Sequence, residues 1–343
     1  MEEKIHILNH GVEEIKEKCA DIVPEAYRMD QVCQWIFKKK ARAFKDMSNL
    51  PVPMREKFEQ KYIACALEIE KNERSLDDTI KLTFKTKANE QFSAVILPHR
   101  TYRSVCISTQ VGCAWKCRFC ASGLVPYKRN LGSGEILDQI LIASAVIAPE
   151  TLRNVLFMGM GEPLANYMGT LKAVEWMISP KGLGMSPSRI TLSTTGLVPQ
   201  IKNLAKHKLN INLALSLHAP TDYMRKKIMP VSARFKLNEV LEACKLFQLD
   251  NNSDLTMEYI LLKGVNDQIS EAQELDQLLL AKKFIRPPKI NLIVYNPISA
   301  LSYHSSSPEQ VDHFYHYLKK RDWIVHIRKP KGREIEAACG QLS

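Results

Sequence analysis

The chain has 343 residues, of which 45% are hydrophobic and 25% are charged. This length and composition allow a large buried core, which excludes an intrinsically disordered protein. The 48 Lys and Arg residues outnumber the 37 Asp and Glu residues and give a formal charge of +11, so the sequence favours a polyanionic partner such as nucleic acid, with a merely basic surface as the alternative.

The sequence predicts neither a secretion signal nor a membrane span. The first residues, "MEEKIHILNHGVEEIKEK", have no apolar stretch behind a basic start, and the apolar run "LIASAVIA" at 141–148 is too short to cross a bilayer. We therefore expect a cytoplasmic protein without membrane contact. The chain has nine cysteines, an odd number, which does not fit a disulfide scaffold in a reducing cytoplasm. Metal binding or thiol chemistry must therefore explain the clustered cysteines.

Residues 1–75 are rich in Lys and Glu and predict a small helical accessory domain. Apolar residues recur at helical spacing over 25–38, and a Pro-led helix is predicted over 50–62. The basic side chains that follow the first helix either contact a phosphate backbone or form a solvated face. They are Lys38, Lys39, Lys40 and Arg42.

Strand-like runs come next, at 79–85, 92–98 and 104–109, and residues 76–103 are predicted to link the two domains. From residue 104 to 343 the chain alternates between strands and helices. The strands are expected at 154–159, 189–194, 210–218, 255–262, 289–295 and 323–328, and the helices at 134–147, 167–178, 198–206, 237–248, 270–281 and 308–320. This alternation predicts an α/β fold with a partial (β/α)6 barrel, whose chemistry lies at the carboxyl ends of the strands.

The loop "VGCAWKCRFCASG" places Cys113, Cys117 and Cys120 in a C-x3-C-x2-C pattern. Three thiolates can hold three irons of a [4Fe-4S] cluster and leave the fourth iron open to the amino and carboxylate groups of S-adenosylmethionine. An electron passed to the sulfonium then yields a 5′-deoxyadenosyl radical. The spacing resembles the radical-SAM signature, and a zinc site completed by a distant fourth ligand is the alternative.

Polar groups and glycines at the ends of later strands are predicted to bind S-adenosylmethionine. They are Gly161, Glu162, Ser193, Ser216, Leu217, His218 and Asn296, with Gly159 beside them. Glycines allow close approach of the backbone, and the Glu162 carboxylate can accept a hydrogen bond from an ammonium group. Taken singly, such residues more often serve as turns or strand-end hydrogen bonders.

Several motifs together resemble the RlmN/Cfr family of radical-SAM RNA adenine methyltransferases. They are "SVCISTQVGCAWKCRFCASG", "FMGMGEPLAN", "ITLSTTGLVP", "LALSLHAP", "KLNEVLEAC", "LLKGVND" and "EIEAACGQL". The N-terminal stretch "QVCQWIFKKKARAFKDMSNLP" is similar to the family's helical RNA-contacting domain. The similarity therefore runs through nearly the whole chain.

The resemblance implies roles for two further cysteines. Cys339 is expected to be methylated by one S-adenosylmethionine, and the radical from a second takes a hydrogen from that methyl before its carbon adds to the ring. Cys106, otherwise readable as a small buried hydrophobe, then attacks the Cys339 sulfur, releasing the methylated base and leaving a transient disulfide. Two molecules of S-adenosylmethionine are consumed per turnover.

The implied substrate is an unstacked adenosine in 23S rRNA and in tRNA, methylated at C2. Pro163 in "GMGEP" is nearer the C2-specific members than the C8-specific ones. Phosphate contacts are predicted at Arg225, Lys226, Lys227, Arg328, Lys329, Lys331 and Arg333. The expected partners also include reductant proteins for the cluster and the disulfide, flavodoxin and thioredoxin by family expectation, and we expect a monomer. The alternatives are a C8 methyltransferase, another radical-SAM enzyme acting on RNA, and a non-catalytic, metal-stabilised RNA-binding protein.

One position departs from the family pattern. The family carries a Glu in the strand before the first reactive cysteine, as the acceptor of the ring proton, and Ser93 stands there in this chain. A serine hydroxyl is a poor base near neutral pH. Glu90 lies three residues away, an offset that directs it to the opposite face of a strand. Another group or water must take the proton, the target differs, or the chain is a divergent paralogue.

Overall fold

The structure is a computed structural model and describes residues 4–342. Its first part contains the helices α1 (Ile15–Lys18), α2 (Ala26–Phe37) and α3 (Val52–Lys61), and the short parallel strands β1 (Ile5–His6) and β2 (Tyr62–Ile63). Helix α2 buries Met29, Val32 and Ile36 on one face, as their spacing predicts. The predicted helices at 25–38 and 50–62 are confirmed.

Twelve further strands follow within the described residues, and ten of them form one mixed sheet. They are β3 (Glu68–Arg74), β4 (Ile80–Lys85), β5 (Gln91–Pro98), β6 (Arg103–Cys106), β7 (Gln110–Val111), β8 (Arg129–Asn130), β9 (Leu152–Phe157), β10 (Ile190–Thr194), β11 (Asn212–Ser216), β12 (Leu255–Leu261), β13 (Lys289–Val294) and β14 (Val325–Arg328). The sheet order is β14-β13-β12-β11-β10-β9-β6-β5-β4-β3, and β7 pairs with β8 alone. Strand β6 and the strands from β9 to β14 are parallel, as predicted, whereas β3, β4 and β5 extend the sheet as antiparallel strands.

Helices connect the parallel strands. They are α4 (Ser133–Val146), α5 (Tyr167–Ile178), α6 (Val198–Lys206), α7 (Asp222–Ile228), α8 (Leu237–Asn251), α9 (Ile269–Lys282) and α10 (Pro308–Lys320). All of them except α7 were expected from the sequence, and the partial barrel is confirmed. The short α7 follows an N-cap at Thr221, whose hydroxyl accepts from Met224 N at 3.3 Å. No helix within residues 4–342 is long and apolar enough to cross a membrane.

The prediction that residues 1–75 form a helical domain is wrong for residues 68–74. Residues 68–74, "EIEKNER", form the edge strand β3, which pairs with β4 through a tight turn in which Ser75 N donates to Thr79 O at 2.9 Å. Most of β3 is exposed, so its sequence lacks the alternation of apolar and polar residues that marks a half-buried strand. Pairing with β4, rather than local pattern, determines its conformation.

A buried tryptophan joins the N-terminal helices to the barrel. Trp176 of α5 is fully buried, its ring lies 5.3 Å from that of Phe37, and its Nε1 donates to the carbonyl of His10 at 2.9 Å. Nearby, Ala66 N donates to the buried Asp138 carboxylate at 2.7 Å. These contacts hold the N-terminal segment against the outer face of the barrel.

We expect Trp176→Ala to lower the free energy of unfolding by about 3–5 kcal/mol, the usual cost of truncating a buried Trp. Because the lost contacts join two parts of the chain, amide hydrogen exchange should rise in α2. Trp323→Ala is the matched control: Trp323 is also buried and donates to Asp276 at 2.8 Å, but it contacts the far end of the sheet. Equal exchange in α2 for the two variants would contradict this assignment.

Candidate active site

Loops leaving the parallel strands meet at the carboxyl-end edge of the sheet, where two cavities adjoin. One, the three-cysteine cavity, is lined by Cys113, Cys117 and Cys120 together with polar residues from later strands. The other, the Cys106 cavity, is lined by Cys106 and by the C-terminal segment. The residues common to both walls are Cys120, Ser122, Met158, Gly159, Ile293, Arg328, Cys339 and Gly340.

The three thiols lie on one wall of the first cavity. Backbone hydrogen bonds fold their loop tightly: Cys120 N donates to Cys117 O at 3.2 Å, and Gly123 N donates to Cys120 O at 3.0 Å. A Cβ at Gly123 would lie 2.8 Å from the Cys117 carbonyl oxygen, so this turn requires glycine. Burial raises the pKa of all three thiols, that of Cys113 to about 11.

The donor set fits an iron–sulfur cluster. All three thiols line one cavity, and within residues 4–342 no group of three His, Cys, Asp or Glu side chains is placed to hold a single metal ion. Each iron of a [4Fe-4S] cluster takes its own thiolate, so three thiolates would hold three of its irons. Binding to iron would also deprotonate the buried thiols.

The carboxylate of Glu162 faces the three thiols and is only 2% exposed. It accepts hydrogen bonds from Thr195 N at 2.7 Å, Thr195 Oγ1 at 2.9 Å and Leu164 N at 3.1 Å. Burial raises the pKa of Glu162, and these donors partly offset the shift. An ammonium group bound in the cavity would supply a positive charge beside Glu162 and so favour its ionised carboxylate.

His218 presents a neutral ring to the same cavity. Burial and the nearby Arg225 guanidinium lower the pKa of His218 to about 3. Its Nδ1 accepts from Ile260 N at 3.1 Å, so its hydrogen is on Nε2. The ring also contacts the Phe119 ring edge-on, with the centroids 4.9 Å apart. His218 can therefore donate one hydrogen bond to a bound molecule.

The other predicted binding residues occupy different places. Gly161, Ser193 and Ser216 line the three-cysteine cavity, whereas Asn296 lines the Cys106 cavity. Leu217 is fully buried and lines neither cavity, and its carbonyl accepts from Arg225 Nε at 3.0 Å. Contacts of these residues with S-adenosylmethionine stay predictions.

The C-terminal segment docks on the three-cysteine loop. Ala121 N donates to Gly340 O at 2.7 Å, and Ser122 Oγ donates to Leu342 O at 2.6 Å. From the other side, Asn296 Nδ2 donates to Cys339 O at 3.1 Å. These bonds place the Cys339 thiol at the junction of the two cavities.

Cys106 and Cys339 line the same cavity although most of the barrel separates them in sequence. Desolvation raises the pKa of the half-buried Cys106 to about 12 and that of Cys339 to about 11, although residue Cys339 as a whole is exposed. The Arg328 guanidinium acts in the opposite direction and favours either thiolate. The cavity thus holds two thiols with raised pKa values beside the Arg328 guanidinium.

An ion pair between the buried Glu258 and the half-buried Arg328, which the sequence did not predict, lies beside these thiols. Arg328 Nη1 is 3.4 Å from Glu258 Oε2, and Glu258 Oε1 accepts from Asn291 Nδ2 at 2.8 Å. Glu258 is 4% exposed and lines the three-cysteine cavity. The sequence does contain a signal for this ion pair, because Glu258 is the single acidic residue inside the apolar strand "LTMEYILL". A charge buried in such a strand indicates a functional site.

Ser93 lies on β5 and is 1% exposed. Its Oγ is 3.5 Å from Thr83 Oγ1, and its carbonyl accepts from Ser108 Oγ at 2.6 Å. Glu90 forms an ion pair with Arg129 at 2.7 Å. Neither Ser93 nor Glu90 is among the described residues that line the two cavities.

The prediction that Arg225 contacts RNA phosphates is wrong. Arg225 is fully buried, and its Nη2 donates to Thr195 O at 2.6 Å and Ser216 O at 3.0 Å, so it braces the strand ends behind the cavity. Its neighbours Lys226 and Lys227 are exposed. In the second basic group, Arg333 donates to Asn296 Oδ1 at 3.0 Å.

Two parts of the chain match known families. Residues 107–275 match the radical SAM superfamily, and residues 5–64 match the ribosomal RNA large subunit methyltransferase N-terminal domain. The first match includes the three-cysteine loop and most of the barrel. The second covers helices α1 to α3.

Full-length relatives cover both parts. The chain is 38% identical to the probable dual-specificity RNA methyltransferase RlmN of Endomicrobium trichonymphae, over 99% of this chain and 97% of that protein. It is 39% identical to the protein of the same name from Aquifex aeolicus, over 98% and 96%. A crystal structure of a radical SAM methyltransferase from Sphaerobacter thermophilus matches with a TM-score of 0.93 at 34% identity, covering 98% of this chain and 99% of that chain.

We expect Gly161→Ala to lower the free energy of unfolding by about 2 kcal/mol or more, measured by chemical denaturation. Gly161 has φ +96°, and an added Cβ would lie 2.6 Å from Gln110 Cβ, whose side chain accepts from Glu162 N at 2.9 Å. Gly184→Ala is the control, since Gly184 also has positive φ but has open space around it. An equal loss in both variants would show that crowding at Gln110 has no effect.

Proposed function

The chain belongs to the RlmN family of radical SAM RNA methyltransferases, and from that premise we propose that it methylates C2 of an adenosine in 23S rRNA and in tRNA, with Cys339 as methyl carrier. The observation that carries this proposal is the convergence of Cys106 and Cys339 in one cavity beside the three-cysteine cavity. A non-catalytic RNA-binding protein would not require two cysteine thiols in one cavity.

Residues of the three-cysteine cavity are proposed to hold the cofactors. Cys113, Cys117 and Cys120 would bind a [4Fe-4S] cluster, which together with S-adenosylmethionine supplies a 5′-deoxyadenosyl radical. The Glu162 carboxylate would accept from the ammonium of the methionine moiety, and His218 would donate from Nε2. Gly161, Ser193 and Ser216 are proposed as further contacts in this cavity, and Asn296 as a contact from the adjoining Cys106 cavity, whereas Leu217 lines neither cavity and is not proposed as a contact. We propose that two molecules of S-adenosylmethionine are used per turnover.

The chemistry of the adenine C2 carbon explains why Cys339 is needed as a methyl carrier. The C2 carbon of adenine is electrophilic and carries no acidic proton, so it cannot attack a sulfonium methyl as a nucleophile does. We propose that the methyl group is first carried on the Cys339 sulfur. That methyl then loses a hydrogen atom, and its carbon adds to C2. The adduct gives up the ring proton and one electron, which replaces the electron consumed at the start.

Cys106 then releases the product. Its thiolate attacks the Cys339 sulfur, the sulfur–methylene bond breaks, and the bonding pair stays on the methylene carbon, which takes up a proton and becomes the methyl group of the base. A Cys106–Cys339 disulfide remains, and a two-electron reductant must reduce it. The Arg328 charge, held by Glu258, favours the attacking thiolate.

The ring proton needs an acceptor other than Ser93. A serine hydroxyl is a poor base, and the Ser93 side chain does not line the described cavities. Water that enters the Cys106 cavity is the acceptor we propose. Proton removal should therefore be slower than with a carboxylate at this position.

C8 methylation is the alternative within this family. Pro163, which follows Glu162 and lines the three-cysteine cavity, favours C2, because the C2-specific members share the "GMGEP" pattern. We further propose that separate reductant proteins serve the cluster and the disulfide, and that the chain acts as a monomer.

The function can be tested on anaerobically purified protein reconstituted with iron and sulfide, then given S-adenosylmethionine, reductant and RNA. We expect 5′-deoxyadenosine, a methyl group on Cys339 by mass spectrometry, and methylated adenosine. Cys339→Ala should keep its iron but give no methylated RNA. Cys106→Ala should accumulate a covalent protein–RNA adduct, because no thiol is left to break the sulfur–carbon bond.

Cys65→Ala is the matched control for these variants, since Cys65 lies outside both cavities and should leave turnover unchanged. Methylated RNA from Cys339→Ala would refute the carrier role. A colourless protein that binds zinc and cleaves no S-adenosylmethionine would refute the enzyme assignment altogether.

We expect Ser93→Glu to raise the rate of RNA product release about tenfold or more, within the range that a positioned general base contributes. Single-turnover kinetics would measure it as faster decay of the covalent RNA adduct. Ser93→Gln is the control, because it has a similar size but no basic carboxylate. If Gln accelerates decay as much as Glu, or neither changes it, proton removal does not limit release.

A further inference from the structure

The Cys106 cavity opens at an aromatic and basic mouth. His99 lines this cavity and is exposed, and its ring is stacked on Tyr102 with the centroids 4.4 Å apart and the planes 17° apart. Lys329 and Lys331 line the cavity at the same end. The Arg153 guanidinium lies 5.1 Å from the centre of the Tyr102 ring.

The His99 ring is held in a fixed orientation. The chain turns where β5 ends, and His99 N donates to Tyr102 O at 3.0 Å, which brings the two rings together. His99 Nε2 is 2.9 Å from Ser104 Oγ, which in turn accepts from Asn154 Nδ2 at 3.3 Å. A ring fixed in this way loses little conformational freedom when a flat molecule stacks on it.

The charge at the mouth suits a polyanion. The nearby carboxylates of Asp78 and Glu150 both form ion pairs with Arg103. No ion pair found within residues 4–342 involves Arg153, Lys329 or Lys331. Arg153 and Lys329 are exposed, and the half-buried Lys331 donates to the Pro98 carbonyl. Partial desolvation and the Lys331 and Arg103 charges lower the pKa of His99, which favours its neutral ring.

His99 lies too far from Cys106 to touch the base that reacts there. Cys106 pairs with Val95 across the strands, and His99 follows Val95 by four residues. At about 3.3 Å per residue this places His99 about 13 Å further along the cavity. That distance exceeds one backbone step between nucleotides, but two neighbouring bases that are unstacked and splayed apart span it, so a base next to the target would reach the mouth.

We propose that His99, supported by Tyr102, is a stacking platform for the nucleobase that flanks the target adenosine in single-stranded RNA, and that Lys329 and Lys331 contact the phosphates between them. The proposal rests on the RNA methyltransferase function proposed above. RNA-binding proteins commonly stack unpaired bases on His and Tyr, and such stacking is largely independent of base identity. His99 thus acts in binding and positions the target without joining the chemistry.

The test uses the reconstituted full-length protein and an RNA hairpin whose loop contains the target adenosine, with 2-aminopurine at the position 5′ or 3′ to it. Stacking on His99 should quench the 2-aminopurine fluorescence when the hairpin binds the wild-type protein. His99→Ala should abolish the quenching for one of the two positions and raise KM for RNA about tenfold, with kcat nearly unchanged. His99→Phe should restore both, since it keeps an aromatic face.

Salt dependence separates stacking from charge. His99→Ala should leave the slope of log affinity against log salt unchanged, whereas Lys329→Ala should reduce it by about 0.7, the value for one phosphate contact in a single strand. His313→Ala, which changes an exposed histidine of α10, is the control and should behave as wild type. An abasic flanking nucleotide should remove the difference between His99→Ala and wild type.

The outcomes distinguish the two proposals. If the wild-type protein methylates the hairpin but His99→Ala has wild-type KM and quenching at both positions, the stacking platform is refuted and the methyltransferase function stands. If the wild-type protein binds the hairpin with quenching but methylates no RNA, the proposed function fails and the stacking contact stands. If it neither binds nor methylates the hairpin, both proposals fail.

Discussion

Docking of the C-terminal segment onto the three-cysteine loop is the interaction on which the proposed chemistry depends. Short hydrogen bonds from Ala121 and Ser122 hold the backbone on one side of Cys339, and the Asn296 amide holds its carbonyl on the other. Without these bonds the segment would have no fixed position, and Cys339 could not face both cavities. One thiol can then take a methyl group in one cavity and present it in the other.

Burial gives neighbouring groups different protonation states in the same site. It keeps His218 neutral, raises the pKa of Glu162, and keeps the Cys106 and Cys339 thiols protonated at rest. A buried charge is costly unless it is paired, and the Arg328–Glu258 pair meets this requirement at the junction of the cavities. The site therefore keeps the paired Arg328 guanidinium beside two protonated thiols.

The shape of the Cys106 cavity connects the chemistry to RNA recognition. Its inner end holds the reactive thiols, and its outer end is formed by the β5–β6 turn and by residues that follow β14. The antiparallel direction of β5 produces this arrangement, because β5 runs from the carboxyl edge of the barrel towards the opposite end. Side chains on one face of β5 therefore line the cavity along its length. The same face carries Ser93, where the family has a carboxylate.

The sequence by itself determined the features that depend on neighbours along the chain. The alternation of strands and helices and the C-x3-C-x2-C loop are local patterns, and the structure places them as expected. Of the polar residues at strand ends, Glu162, Ser193, Ser216 and His218 line the three-cysteine cavity, whereas Asn296 lines the Cys106 cavity. Tertiary structure decided the rest: the strand conformation of residues 68–74, the burial of Arg225, the pairing of Glu258 with Arg328, and the meeting of Cys106 with Cys339. These depend on strand order and on docking of the terminus, because whether a charge is buried or two thiols meet is set by residues far away in sequence.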